Sequence, residues 1–224
     1  MRLRKEIRVL FTLLLIFASR TAVLQTAGTP ESPWEPDIRA FEKADSLQPP
    51  PSGAALFIGS SSIRLWKDLP SYFPQTRVIQ RGIGGCQIED VIRYADRMII
   101  PYRPGRIFLY AGDNDIAGGK SPERVLADFQ RLADTVLSRL PDARLAFIAV
   151  KPSPSRWHLV EKARIANGLV QEYCLTGPRL DFIDVFSPML ERNRPRPEYF
   201  LADSLHLSPA GYSLWKKVLA PYLQ

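Results

Sequence analysis

GRIFLYAGDNDIAGGKSPERVLADFQRLADTVLSRLPDARLAFIAV, residues 105–150, is the stretch that decides the fold. Ile107 to Tyr110 is a short apolar run that stops at Gly112, as a buried strand does. From Pro122 to Leu140, apolar residues recur at Val125, Leu126, Phe129, Leu132, Ala133, Val136 and Leu137, which is one face of a helix. Ser121 followed by Pro122 and Glu123 is a good N-terminal start for it. Leu145 to Val150 is again apolar throughout and ends at Pro152. Strands rich in Ile, Val, Leu and Phe, separated by a helix, predict a parallel sheet covered on both faces.

The same alternation extends in both directions. Upstream, Ala54 to Ile58 closes on Gly59, and Arg77 to Gln80 precedes the Gly-rich turn from Gly82 to Gly85. Downstream, Phe182 to Val185 makes a fifth strand. Helical patterns cover Ile88 to Met98, Leu159 to Tyr173 and Ala210 to Leu223. The main domain is thus expected over residues 54–224, preceded by an arm over residues 28–53. In the arm, Pro30, Pro33 and Pro36 discourage a helix before Asp37. Asp37 to Asp45 can make two turns with Ile38, Phe41 and Ala44 on one face, ended by Pro49, Pro50 and Pro51. Trp34 and Phe41 are expected to pack against the main domain.

Composition narrows the class. A chain of 224 residues, 46% hydrophobic and 24% charged, is ordinary globular protein, which excludes disordered, collagen-like and coiled-coil readings. Two cysteines are too few for a disulfide scaffold, and no CxxC or His/Cys spacing suggests zinc, so no metal or cofactor is expected. Cys86 and Cys174 read as buried small apolar residues, with pairing after export as the alternative. The formal net charge is +7, but Arg2, Arg4, Lys5, Arg8 and Arg20 against Glu6 place +4 of it in residues 1–27. The remaining basic residues are scattered, so nucleic acid is not an expected partner.

The basic stretch Arg2 to Arg8 runs into VLFTLLLIFA, Val9 to Ala18. That apolar run is about half of the roughly twenty residues a spanning helix needs. Basic flank plus short apolar run is the secretory signal pattern, so residues 1–27 are expected to export the chain to the periplasm or beyond the cell. Cleavage is expected near Ala22 to Ala27, and an uncleaved N-terminal membrane anchor is the alternative.

In an open parallel sheet, ligands sit beyond the carboxyl ends of the strands. The residues there form a chemical set: Ser60, Ser61 and Ser62 after the first strand, Gly84 and Gly85 after the second, and Asp113, Asn114 and Asp115 after the third. Asp203 and His206 stand near the C-terminus, three residues apart, about one helical turn. A serine nucleophile needs a base, the base needs an acceptor on its far nitrogen, and a developing oxyanion needs donors. The nucleophile elbow G-x-S-x-G is absent, because Ile63 stands where its second glycine belongs. Asp184, ending the fifth strand, is a rival orienter or a turn residue. His158 reads as a surface residue at a helix start.

FIGSSSIRLW, RGIGGCQIEDV, YAGDNDIAGG and DSLHLSPAGY resemble the four sequence blocks of the SGNH (GDSL-type) hydrolases, in particular the branch similar to platelet-activating-factor acetylhydrolase. The resemblance covers roughly residues 54–224. It implies a three-layer α/β/α sandwich with a flavodoxin-like, five-stranded parallel sheet, and a serine ester hydrolase without metal. By position it implies Ser61 as nucleophile, Asp203 and His206 as its Asp-x-x-His partners, and the N–H groups of Ser61 and Gly85 with the Asn114 amide as the oxyanion hole. Two departures stand out: Ser60 replaces the usual aspartate before the nucleophile, and Gln80 stands where an asparagine often precedes the second block. The first leaves Ser60, Ser61 and Ser62 all as candidates on residue type. Ser62 is expected to cap a helix beginning near Ile63, and Ser60 to shape the turn.

The expected chemistry is hydrolysis of a small-acyl carboxylic ester through an acyl-enzyme, on a small-molecule or glycan substrate. An acyltransferase using the same residues, and a non-catalytic carbohydrate-binding module on the same scaffold, are the alternatives. Asp113 and Asp115 are expected to serve as loop hydrogen-bonding residues, with a substrate contact as the alternative.

Overall fold

The computed structural model describes residues 32–223. The expected export segment, residues 1–27, and the first residues of the arm lie outside them. Five strands form one sheet: β1 (Ala55–Gly59), β2 (Val78–Gly82), β3 (Arg106–Tyr110), β4 (Arg144–Ile148) and β5 (Leu180–Ile183). Their order is β2-β1-β3-β4-β5, and every neighbouring pair is parallel. This is the flavodoxin-like doubly wound order. A two-stranded antiparallel ribbon, β6 (Leu190–Glu191) with β7 (Arg194–Pro195), is separate from it.

Side chains alternate across a strand, so each strand feeds two cores. Leu56, Ile58, Ile107, Leu109, Leu145 and Phe147 enter one cluster. Ala55, Phe57, Phe108, Tyr110, Ala146 and Ile148 enter the other. The first core is covered by α1 (Glu35–Leu47), α4 (Ile88–Arg93), α5 (Ala95–Met98), α7 (Pro122–Leu137) and α8 (Val160–Cys174). The second is covered by α2 (Ser61–Arg64), α3 (Leu69–Tyr72) and α9 (Pro209–Leu219), through Ile63, Leu69, Tyr212, Trp215 and Leu219. The short α6 (Asp113–Ala117) follows β3. The result is a three-layer α/β/α sandwich. No helix among the described residues is long and apolar enough to cross a membrane.

Two helices differ from the sequence expectation. The stretch Ile88 to Met98 is broken at Tyr94, whose φ and ψ are −102° and 10°. No proline or glycine marks that break, and the apolar spacing runs straight through it. The arm helix α1 begins at Glu35, earlier than Asp37, because Pro36 falls in its first turn, where an absent N–H costs no hydrogen bond. Ile38 is fully buried, and Trp34 and Phe41 pack against the first core. Ion pairs from Arg97 to Glu35 and Glu42, and from Arg81 to Asp45, tie the arm down. Cys86 and Cys174 are free and buried, and burial pushes the Cys174 thiol up to about 12.

Candidate active site

The site is built at the carboxyl ends of the strands. β1 ends at Gly59 with φ +129°, and a Cβ there would collide with the Tyr110 carbonyl. Glycine therefore lets β1 leave the sheet tight against β3, and Ser60 N–H donates to Tyr110 O at 2.8 Å. Ser60 O accepts from Ile63 N and Arg64 N, which starts α2 with Ser61 as its first residue. Ser60 and Ser62 are buried, while Ser61 lines a cleft. Ser62 does not cap the helix. It lies inside α2, and its hydroxyl has no partner among the described residues. Gln80, the departure from asparagine, donates through Nε2 to Ile63 O at 2.5 Å and Trp66 O at 3.0 Å, and so ties β2 to the end of α2.

Asp203 and His206 reach the same cleft from a turn rather than the helical turn expected. Ser204 takes the left-handed conformation (φ +58°) and closes the loop. Asp203 Oδ1 accepts from the N–H of Leu205 and of His206, both at 2.9 Å. Its Oδ2 lies 2.6 Å from His206 Nδ1. The other ring nitrogen, Nε2, lies 3.1 Å from Ser61 Oγ. Asp203 can only accept, so Nδ1 carries a proton and the Nε2 lone pair faces the hydroxyl. The hydrogen bond from His206 and the two backbone donors lower the Asp203 carboxyl to about 2. A chain of one hydroxyl, one imidazole and one ionised carboxylate can move the serine proton onto the ring and hold the resulting imidazolium. Asp184, the rival orienter, caps its own turn by accepting from Phe186 N and Ser187 N. His158 stands just before α8, in the short turn that leads into it.

Two further loops border the cleft beside Ser61. Gly85 has φ +81°, and a Cβ there would sit 3.2 Å from the ring of Trp34. Among the described residues, the N–H groups of Ser61 and Gly85 donate no hydrogen bond, which leaves both for a ligand. Asn114, in the first turn of α6, donates from Nδ2 to Cys86 O at 3.0 Å, while its Oδ1 accepts from Arg156 Nη2 at 3.0 Å. These two partners fix which end of the amide is nitrogen. One Nδ2 hydrogen stays uncommitted.

Behind Asn114 lies a buried ionic network absent from the sequence reading. Asp113 binds Lys151 Nζ at 2.9 Å through one oxygen and Arg156 Nη1 at 2.5 Å through the other. Tyr110 also donates to it, at 3.2 Å. Burial alone would raise the Asp113 carboxyl, but Lys151 and Arg156 outweigh it and hold the group below its usual range. Burial raises the Tyr110 hydroxyl to about 12, so it stays a donor. Asp115 accepts from Gly112 N, Ile88 N and Lys120 Nζ, a purely scaffolding role. Arg156 is therefore the functional-site residue the sequence reading missed. The cleft itself has a volume of about 540 Å³ and is bordered by Ser61, Arg64, Leu65, Gly85, Asn114 and His206, among others.

A model of the GDSL-like lipase/acylhydrolase family matches residues 58–214 of this chain. The chain belongs to that family. As a GDSL-like acylhydrolase it is an ester hydrolase. Its curated relatives include the alpha1 subunit of platelet-activating factor acetylhydrolase IB from Bos taurus, 28% identical over 178 residues that cover 76% of this chain and 74% of the relative. Among solved structures, a GDSL-like lipase from Bacteroides thetaiotaomicron superposes with a TM-score of 0.69 at 19% identity, over 83% of this chain and 96% of that one. A family 3 carbohydrate esterase from Clostridium thermocellum superposes with a TM-score of 0.59 at 17% identity, over 76% and 96%. These two likenesses concern the fold of the GDSL-like sandwich.

Proposed function

We propose that the protein is an exported serine esterase that removes small acyl groups through an acyl-enzyme. Ser61 is the nucleophile, His206 its base, and Asp203 the group that fixes the imidazole tautomer and stabilises the imidazolium. The Ser61 N–H, the Gly85 N–H and the Asn114 amide form the oxyanion hole. The observation that carries this reading is the continuous path of 3.1 Å from Ser61 Oγ to His206 Nε2 and 2.6 Å from His206 Nδ1 to Asp203.

In the reaction, Oγ attacks the ester carbonyl as Nε2 takes its proton. The carbonyl oxygen becomes an oxyanion among the three donors, and the imidazolium returns the proton to the departing alcohol. Water then repeats the sequence on the acyl-enzyme. Support for a small acyl group comes from the curated relatives, which are named for an acetylhydrolase, the removal of a two-carbon acyl group. Support for export comes from the basic and apolar run of residues 2–18.

A fluorophosphonate probe followed by peptide mapping tests the assignment. Labelling of Ser61, loss of labelling in Ser61→Ala and His206→Ala, and loss of p-nitrophenyl acetate hydrolysis in both are expected. Labelling of Ser60 or Ser62, or full turnover in either variant, refutes it. Recovery of the chain outside the cytoplasm, shortened by about 22–27 residues, tests the export segment.

A further inference from the structure

We propose that the esters this site selects carry an anionic group on their alcohol portion. The inference rests on the serine esterase reading above, because a small acyl group leaves the alcohol as the part of the substrate that carries the charge.

The cleft is bordered by two guanidinium groups and by no carboxylate. Arg64, three residues after Ser61, lies with its guanidinium against Gly84. A Cβ on that glycine would be 2.8 Å from Arg64 Nη1. Arg64 is exposed, and among the described residues its guanidinium has neither an ion-pair nor a hydrogen-bond partner. It therefore stands beside the Gly84–Gly85 turn with all its donors available. Arg156 forms the other wall, next to Asn114.

The two carboxylates that could neutralise this rim are already committed. Asp113 is buried and shared between Lys151 and Arg156. Asp203 has both oxygens engaged within its own loop and with His206. Counting the buried Lys151 with Arg64 and Arg156 against Asp113 and Asp203, the charged groups in and behind the cleft sum to a net positive charge. A concave site lined by one sign of charge concentrates ligands of the other sign. The planar fork of an arginine suits a carboxylate, sulfate or phosphate group.

The test compares 3-acetoxybenzoate with 3-acetoxybenzamide, which share the acyl group, the ring and the leaving oxygen and differ in charge. The readout is the ratio of their kcat/KM values, followed by phenol release. Intrinsic reactivity cancels when that ratio is compared between enzymes. Relative to the native protein, Arg64→Gln is expected to lower the anionic-to-neutral ratio about fivefold, the range of an exposed ion pair. Arg64→Glu is expected to lower it further, with the change residing in KM. Raising the salt from about 20 to about 500 mM shrinks the native preference, because such pairs are screened.

A ratio that does not move in Arg64→Glu, with both esters still cleaved, overturns the proposal and leaves the esterase reading intact. Absence of turnover on both esters and on p-nitrophenyl acetate, with no fluorophosphonate labelling, overturns the two together.

Discussion

Replacing Asp203 by asparagine is the sharpest test of the arrangement, because the structure dictates how the new amide must sit. Oδ1 of Asp203 accepts two backbone N–H groups, from Leu205 and His206, and these cannot accept in return. In Asp203→Asn the amide oxygen must stay with them, since the alternative points an NH2 group at two donors. The NH2 group then faces His206 Nδ1, at the position now occupied by Oδ2, 2.6 Å away. A donor there makes Nδ1 an acceptor and moves the ring proton to Nε2, which would then donate to Ser61 rather than accept from it. The loss of a correctly placed base costs about 10⁴ in kcat, or about 5 kcal/mol of barrier. Asp203→Ala removes the orienting group without enforcing the wrong tautomer, so it should be no less active than Asp203→Asn. The assay is p-nitrophenyl acetate turnover, with circular dichroism to check that both variants fold. An asparagine variant within tenfold of the native enzyme, or one at least tenfold more active than the alanine variant, refutes the tautomer argument.

Asn114→Ala should lower kcat about 10²–10³-fold with little change in KM, as expected for a lost oxyanion donor. Arg156→Leu should lower kcat about tenfold in the native background and less than twofold in Asn114→Ala. Additive losses would show that Arg156 does not work through that amide. Lys151→Met should destabilise the fold by about 3 kcal/mol, at the low end for a broken buried pair because Arg156 still neutralises Asp113. That is a fall in Tm on the order of 10 °C by calorimetry. The Asp203 carboxyl is lowered to about 2 in the fold from 3.8, so its ionised form contributes stability above the unfolded value, lost as the pH falls through about 2. The Tm difference between the native protein and Asp203→Asn should shrink between pH 4 and 2. A difference that does not shrink over that range contradicts the hydrogen bonding described.

The sheet is legible in the sequence because its strands are apolar on both faces and most end at a glycine or proline that stops them. The bounds shift by one or two residues, as at β5, expected over Phe182 to Val185 and found at Leu180–Ile183. The break at Tyr94 is not legible, since tertiary packing makes it and no backbone-breaking residue records it. Ser61, Gly85, Asn114, Asp203 and His206 do converge, because each comes after a strand or lies in the last long loop, and the topology delivers such positions to one edge of the sheet. Ser62 departs from its expected capping role because the helix starts two residues earlier than its apolar pattern does, at a serine that faces the cleft.

The same rule locates Lys151 and Arg156, whose signal is present at the end of the fourth strand. Lys151 directly succeeds the apolar run LAFIAV, just as Asp113 comes soon after the run ending at Tyr110. In a doubly wound sheet, consecutive strands such as β3 and β4 are neighbours, so the residues leaving their carboxyl ends lie side by side. Asp113 after β3 and Lys151 after β4 are therefore bound to meet, and a buried lysine needs a carboxylate partner just as a buried aspartate needs a cation. Once paired, Asp113 has a second oxygen free for a donor arriving from the loop beyond Lys151, which Arg156 supplies with one nitrogen while its other nitrogen reaches Asn114. The buried ion pair thus serves as an anchor for the arginine that orients the amide. Its function is one of position, which no motif centred on Asn114 alone can express.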